Sequence, residues 1–398
     1  MQDKGEELFV FEERRRPKKE KKSKNKALHV ILRVLAFVFT FILAVVLLLY
    51  FALGMMCANR AKGEDRANGK ISEVPYITVP TFLETGQLKF VPSLYLSAAE
   101  IQNIVDSNKM KDMDAKVNEG LITIDPSGER GVLDIDTSEK KKEDTTAGVD
   151  LSSPIEIHEV SGATYYGTMM IVKDPSRVCL ATIYPWREIG VTLDKLVNDS
   201  GAVAGINGGL YRSYNNSGGE PYGVIVSEGK ILYNKPWQFP GLVLIGFTEN
   251  DILQIIDIDG FTAAEVESLV KEKKIRDAVT FQDESSDANN HFVQLIINGE
   301  TRELNGMGSG LNPRTVIGQR ADGAVLMFVT DGRGKSGHLG ASASDLIEVM
   351  REYGAVNAAN LDGGSSSCMY YDGEYLMTSV TFYYSTSSWK LPAGFVVK

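Results

Sequence analysis

The spacing of hydrophobic and polar residues divides the chain into three parts. One apolar run without a charged residue extends from Val34 to Asn59. Short runs rich in β-branched and aromatic residues, typical of β-strands, recur from Pro154 to the C-terminus. Residues 60–150 end in TSEKKKEDTTAGV, which is typical of a solvated linker. We predict a basic tail at 1–33, an apolar span at 34–59, a stalk or small membrane-proximal module with a linker at 60–150, and a globular domain at 151–398.

The domain contains several short runs with the length and composition of strands. They outnumber the predicted helices about three to one, which favours an α+β fold with a mixed or antiparallel sheet core and a few flanking helices over a doubly wound fold. The predicted strands are 165–172, 178–184, 202–206, 224–226, 242–247, 292–297, 315–317, 324–329 and 355–361.

Short helices are predicted where a capping residue precedes an apolar pattern. Ser97, Thr262 and Ser342 each stand three residues before an acidic residue, which is the spacing of a capping box. Thr192 can cap the segment LDKLVND, and Gly354 ends the helix that Ser342 opens.

The apolar run is long enough to cross a bilayer. As a helix, residues 34–59 would span roughly 39 Å, more than the roughly 30 Å hydrocarbon core. The basic cluster RRRPKKEKKSKNK precedes it, so the positive-inside rule predicts a single-pass anchor with a cytoplasmic N-terminus and an extracellular domain. A cleaved signal peptide is the alternative, but the run is longer than a signal core and no small-x-small cleavage site stands out after it.

Charge and cysteine content limit which partners, disulfides and metal sites are expected. The first 33 residues are basic, whereas the whole chain has a formal net charge of −10, so the body is acidic and nucleic acid is not the expected partner. Of the three cysteines, Cys57 lies at the edge of the span, which leaves one disulfide, between Cys179 and Cys368, as an option. No CxxC or HExxH spacing predicts a zinc site.

Two stretches share one layout. GAVAGINGG at 201–209 and GAVNAANLDGG at 354–364 both follow a predicted helix, form a strand of small residues and end in paired glycines. Each strand brings a polar residue, Asn207 or Asp362, to a point where the backbone can approach a ligand closely. The alternative is that Gly-Ala-Val is a common joint between helix and strand.

The remaining polar clusters combine carboxylates with arginines. Asp331 and Asp362 both follow apolar strands, and two acids facing one cleft suit glycoside hydrolysis, although Asp-Gly is also ordinary turn chemistry. Arg314 and Arg333 offer forked donors that match phosphate oxygens, unless they form surface ion pairs. Together with glycine-rich backbone and hydroxyl groups, they predict an anion cradle that suits a sugar phosphodiester.

Three blocks of sequence resemble the family of phosphodiester glycosidases related to the lysosomal uncovering enzyme. INGGLY with GGEPYGVIVSEGKI resembles the first block, NPRTVIGQRADGAVLMFVTDGRG the second and GAVNAANLDGGSSSCMYYDGE the third. The chain departs from the family pattern near its end, at 389–392. The resemblance implies that Asp331 and Asp362 are the catalytic residues and that the substrate contacts Asn207, Gly208, Gly209, Arg314, Thr315, Arg333, Gly363, Gly364 and Ser365.

The resemblance implies a membrane-anchored hydrolase that cleaves the bond between a sugar C1 and phosphate in a surface or cell-wall glycan. Bacterial members of the family are often associated with exopolysaccharides. No cofactor is required, although calcium or magnesium is an option. One alternative is a non-catalytic module that binds anionic glycans, and another is a serine hydrolase that uses Ser365, His338 and Asp331. In the serine hydrolase alone, replacing His338 by alanine is expected to abolish activity.

Overall fold

The computed structural model describes residues 19–58, 74–124, 154–284, 291–381 and 385–398. The chain divides into two compact units, one within residues 1–56 and one within 57–398. Helix α1, Lys19–Ala58, accounts for the first unit. Its segment Leu28–Met55 is long and apolar enough to cross a membrane, a property that signal sequences near an N-terminus share. The length of this helix agrees with the predicted span, and its orientation stays a prediction.

The described part of the second unit contains five further helices, and four of them start at predicted capping residues. Both bonds of a capping box are present at Ser97, Thr262 and Ser342. Thr192 occupies the predicted capping position, but its side chain makes no capping hydrogen bond. The helices are α2 (Val74–Leu83), α3 (Ala98–Asp106), α4 (Leu193–Asp199), α5 (Ala263–Glu272) and α6 (Ala343–Glu352).

The strands form three sheets, and every pairing among the described strands is antiparallel. The predicted α+β class is therefore confirmed. The strands are β1 (Ile155–Ser161), β2 (Tyr166–Val172), β3 (Val178–Thr182), β4 (Ala204–Asn207), β5 (Val224–Ser227), β6 (Lys230–Asn234), β7 (Leu242–Thr248), β8 (Leu253–Asp257), β9 (Ile275–Gln282), β10 (Gln294–Ile297), β11 (Glu300–Thr301), β12 (Thr315–Arg320), β13 (Val325–Thr330), β14 (Ala355–Asn360), β15 (Met369–Tyr371), β16 (Glu374–Met377) and β17 (Ala393–Val397).

The three sheets share one hydrophobic core. Their strand orders are β1-β2-β13-β12-β14-β10-β11, β16-β15-β4-β17-β3 and β6-β5-β9-β7-β8. Met327, Phe395 and Phe247, one from each sheet, are fully buried in this core. The rings of Phe247 and Phe395 meet edge to face with centroids 6.1 Å apart. Burial of a side chain of this kind contributes roughly 1.5–3 kcal/mol. The shared core therefore sets where the strand ends of different sheets meet.

The described part of the 60–150 segment packs into the same unit as the domain. Met110 is 1% exposed and lies in a second core cluster with Phe292 and Phe328. The Asn108 side chain donates to the Ser309 carbonyl at 3.1 Å and accepts from the Met307 N–H at 2.6 Å. Residues 74–124 are thus not a separate stalk, because their burial depends on the domain.

The two cysteines of the domain do not form the disulfide that the sequence allowed. Cys179 and Cys368 are free thiols, and Cys368 is fully buried. A buried free cysteine packs as a small hydrophobic residue.

Candidate active site

The two stretches that share a layout meet in the fold. The first ends at Asn207, the last residue of β4, and the second continues from β14 into Asp362. The Asn207 amide donates to the Asp362 carbonyl at 2.6 Å, and the Asp362 N–H faces the Gly208 carbonyl at 3.4 Å. Two different sheets therefore bring these strand ends to one place.

Asn207 and Thr315 position this junction. Both side chains are fully buried. The Asn207 Oδ1 atom accepts a hydrogen bond from the Thr315 hydroxyl at 2.7 Å and from the Cys368 N–H at 3.2 Å. Since the Asn207 amide is also occupied, the hydrogen bonds of these two side chains are made within the protein, and their predicted contact with substrate stays a prediction. They connect the loop after β4, the start of β12 and the loop after β14.

Glycines allow close approaches around the junction. A Cβ atom on Gly209 would lie 2.3 Å from the Thr280 carbonyl oxygen, and one on Gly363 would lie 2.9 Å from the Pro313 carbonyl oxygen. Gly364 has a φ of +62°, and a Cβ atom there would lie 2.6 Å from Nη2 of Arg333. Any larger residue at Gly364 would be strained and would displace this guanidinium.

Arg333 has the features of an anion-binding residue. Its Nη1 donates to the Ser365 hydroxyl at 2.8 Å. Its Nε is buried and has no hydrogen-bond partner in the described part of the chain. Burial, together with the nearby Arg314 charge, lowers the pKa of Arg333 to about 10, so the group remains a cation at neutral pH. A buried donor without a partner costs free energy, which an anionic ligand would recover.

Asp362 lies beside this cation. It is half-buried, and removal from water raises the pKa of its carboxyl to about 7, although hydrogen bonds from Ser366 and the Gly363 N–H and the charge of Arg333 act in the opposite direction. A carboxyl with this pKa changes charge near neutral pH, which is a property of catalytic acids and bases.

Asp331 is in a different environment from Asp362. Its side chain is 5% exposed, and its Oδ1 accepts the Tyr166 N–H at 2.8 Å. Its Oδ2 lies 2.7 Å from Nδ1 of His338, whose side chain is 32% exposed. Both carboxylate oxygens of Asp331 therefore have partners, and its predicted catalytic role with Asp362 stays a prediction. It holds the imidazole of His338.

Arg314 forms a buried ion pair with a residue of the preceding segment. Its Nη2 lies 2.7 Å from Oε2 of Glu84, and the two side chains are 10% and 4% exposed. The same guanidinium donates to the Ser309 hydroxyl and to the Gly310 and Ala341 carbonyls. These contacts use Nε and Nη2 of Arg314, and the predicted role of Arg314 in holding phosphate stays a prediction.

Sequence reasoning missed the role of Glu84 and joined His338 to Asp331 only within the serine hydrolase alternative. His338 is seven residues after Asp331 on the same loop, where the Gly334 N–H donates to the His338 carbonyl at 2.7 Å. The sequence signal for the pair was the short spacing between His338 and Asp331, an acid at the end of a strand. Glu84 had none, since it is distant in sequence from every block. Among the described residues, no group of three or more His, Cys, Asp or Glu side chains could hold a metal ion.

Comparisons with known proteins identify relatives of this chain. The family model described as phosphodiester glycosidase matches residues 200–398, which is half of the chain. Mouse N-acetylglucosamine-1-phosphodiester alpha-N-acetylglucosaminidase is 26% identical over 235 residues, covering 54% of this chain and 42% of that protein. The Bacillus subtilis SPbeta prophage-derived uncharacterized protein YomE is 38% identical over 65 residues, covering 16% of this chain and 10% of its own. The chain thus spans less than half of either relative.

Solved structures of low identity also match. The catalytic domain of zebrafish N-acetylglucosamine-1-phosphodiester alpha-N-acetylglucosaminidase, auto-inhibited by its pro-peptide, gives a TM-score of 0.47 at 16% identity, covering 63% of this chain and 85% of that one. A putative exported protein from Burkholderia pseudomallei gives 0.37 at 15% identity, covering 58% and 74%. The family-model match is the decisive comparison, and by it this chain belongs to the phosphodiester glycosidase family.

Proposed function

We propose that this protein hydrolyses the bond between a sugar C1 atom and the phosphate oxygen of a glycosyl phosphodiester. The observation that carries the proposal is the pairing of a carboxyl whose pKa is about 7, Asp362, with the unpaired buried donor of Arg333. The Asp362 carboxyl can react at the sugar C1 atom, and the Arg333 guanidinium can bind the phosphate. Membership of the phosphodiester glycosidase family supports the same reaction.

In the proposed mechanism, Asp362 acts in its ionised form. It either attacks C1 itself, forming a glycosyl ester that water then cleaves, or takes a proton from the water that attacks C1. The bond from C1 to the phosphate oxygen breaks, and its electron pair leaves with the phosphomonoester. Arg333 stabilises that developing charge, so the leaving group needs little help from an acid. Asp331 positions His338 on the same loop, and His338 offers a second polar group at the rim.

Arg333 provides the direct test of the phosphate half of the site. The full chain in detergent micelles is incubated with sugar-1-phosphodiesters, including N-acetylglucosamine-1-phosphate esters, and free sugar is measured. Arg333→Gln is expected to lower kcat/KM by about 10²–10³-fold, as when a donor to a developing oxyanion is lost. Arg333→Lys keeps the positive charge but loses the forked pair of guanidinium donors, so we expect a smaller loss of kcat/KM. Equal activity of all three proteins would remove Arg333 from the mechanism.

Ser365 separates the proposal from the serine hydrolase. Asp331 and His338 do form a pair, but the contact recorded for the Ser365 hydroxyl is with Arg333 at 2.8 Å. Since Asp331 holds His338 on the loop that also carries Arg333, loss of activity on replacing His338 would not distinguish the two mechanisms. We expect Ser365→Ala to lower kcat about 10-fold or less, because it removes one hydrogen bond. A serine nucleophile would instead require a loss of at least about 10³-fold.

The non-catalytic alternative is an anionic-glycan-binding module. It predicts that glycans bind the protein without release of sugar, and that Asp362→Asn leaves this binding intact. A carboxyl beside the cationic group favours catalysis, because an ionised Asp362 would repel an anionic ligand.

The proposed location of the enzyme in the cell depends on helix α1. A membrane-anchored enzyme with an extracellular domain would act on a glycan of the cell surface, wall or exopolysaccharide. Nucleic acid is not an expected partner. The mechanism draws on no cofactor, and the divalent cation stays an untested option.

A further inference from the structure

We propose that a groove beside the candidate active site binds sugar units of the substrate glycan. The groove has a volume of about 500 Å³ and is lined by Trp186, Arg187, Glu188, Arg212, Glu220 and Tyr233. This volume is within the range of small-molecule sites. The inference rests on the proposed function and deepens it, since it assigns a binding site for the glycan next to the phosphodiester.

Two aromatic rings, Trp186 and Tyr233, line this groove, and Tyr184 packs against Trp186. Trp186 meets Tyr184 at 5.6 Å and Tyr233 at 6.3 Å between ring centroids, with interplanar angles of 79° and 88°. The indole N–H of Trp186 donates to the Leu232 carbonyl at 3.0 Å, which fixes its orientation. Rings at right angles leave ring faces and edges for the apolar C–H face of a sugar.

Three exposed aromatic residues lie close in sequence to residues that line the groove. Tyr184, Tyr214 and Trp237 are 55%, 74% and 66% exposed. Each is within four residues of a lining residue along the chain. Of these residues, Tyr184 contacts the lining residue Trp186 and so adds exposed aromatic surface beside the groove.

Charged side chains supply the polar partners that sugar hydroxyls need. Arg212 and Glu220 form an exposed ion pair of 3.7 Å, which offers donors and acceptors at the groove surface. The Lys235 ammonium lies 4.8 Å from the centroid of the Tyr233 ring. Aromatic faces combined with such groups favour an oligosaccharide over a purely apolar ligand.

A series of contacts connects the groove lining to the candidate active site. Arg212 follows Tyr211, whose hydroxyl lies 2.9 Å from the Ser366 hydroxyl, and Ser366 in turn hydrogen-bonds to the Asp362 carboxyl. In the sheet, β3 and β4 both pair with β17: Thr182 lies opposite Ala393 and Asn207 lies opposite Gly394, so both strands end at the same end of the sheet. The loop that carries Trp186 follows β3 from this end. A glycan linked to a phosphate at Arg333 can therefore extend into the groove.

The test compares a short and a long substrate on the full chain in detergent micelles. The short one is the methyl phosphodiester of N-acetylglucosamine-1-phosphate, and the long one carries a linear tetrasaccharide on its phosphate. The variant combines Tyr184→Ala with Arg187→Ala, both at exposed positions. Phe90→Ala, an equally exposed aromatic outside the groove, is the control. We expect the double variant to raise KM for the long substrate about 10-fold more than for the short one.

Separate outcomes decide the groove and the proposed function. Equal effects of the double variant on both substrates, or the same effect from Phe90→Ala, would overturn the groove while hydrolysis still supports the function. If neither substrate is cleaved, the proposed function fails, and calorimetric titration with a phosphate-free N-acetylglucosamine tetrasaccharide decides the groove. Binding that the double variant weakens about 10-fold supports the groove, and no binding to the unaltered protein overturns it.

Discussion

Replacing Asp362 by asparagine is expected to lower kcat for sugar release by about 10³-fold, the midpoint of the range for loss of a general acid or base. The change preserves the shape of the side chain but removes the group that takes a proton or attacks C1. Asp372→Asn is the matched control, because it makes the same chemical change in a turn where φ is +46°. The control is expected to keep full activity. A similar loss in both variants would assign the effect to the fold.

The pH dependence of the reaction follows from the same group. Because the pKa of Asp362 is about 7 and its ionised form reacts, kcat/KM is expected to rise with pH and level off above about 7. An initial-rate profile from pH 5 to 9 checks this. Activity that falls through the same range would mean that protonated Asp362 acts as an acid.

The raised pKa of Asp362 also makes the stability of the fold depend on pH, and the direction of that dependence follows from the pKa shift. The pKa is near the ordinary value of about 3.9 in the unfolded chain and about 7 in the fold, so the folded state binds the proton more tightly. Its contribution to stability is fully present below about pH 4 and is lost as the pH rises through 7. Asp362→Asn should therefore be more stable than the unaltered protein above pH 7.

Glu84→Gln is expected to lower the free energy of unfolding by about 3 kcal/mol. The substitution leaves Arg314 as a buried cation without its carboxylate, and breaking a buried pair typically costs 3–5 kcal/mol. Urea unfolding of the full chain in detergent micelles, followed by fluorescence of its three tryptophans, measures the change.

Glu303→Gln is the matched control for this prediction. Lys111 and Glu303 also join the 74–124 segment to the domain, but their 2.7 Å pair is largely exposed. We expect almost no change in stability from its loss. A second variant, Glu84→Gln with Arg314→Met, should recover part of the loss, since it removes the unpaired charge. Equal effects of Glu84→Gln and Glu303→Gln would contradict a special role for the buried pair.

The buried pair also determines which protein should be assayed. A fragment that begins near residue 150 would lack Glu84 and Met110, so it would expose core surface and leave Arg314 unpaired. Loss of activity in such a fragment would report on folding. The experiments above therefore use the full chain.

The sequence alone predicted the elements whose signals lie between residues close together in the chain. The capping boxes at Ser97, Thr262 and Ser342 predicted three helix starts, because a cap depends on residues only three positions apart. The apolar run predicted helix α1 from its length. Strand β9 was missed, since Arg276 and Asp277 interrupt its apolar pattern. Asp277 is 1% exposed and forms a 2.9 Å ion pair with Arg276, and that pairing is visible only in the fold.

The sequence by itself also determined the residue types of the site and the blocks that place the chain in its family. The tertiary structure decided which of those residues are available for chemistry. Asn207 and Thr315 are enclosed at a junction of two sheets, Arg314 is held by Glu84, and Asp331 is held against His338. Asp362 and Arg333 remain at the junction. The physical reason is that hydrogen bonds and burial depend on contacts between distant segments, which no local pattern records.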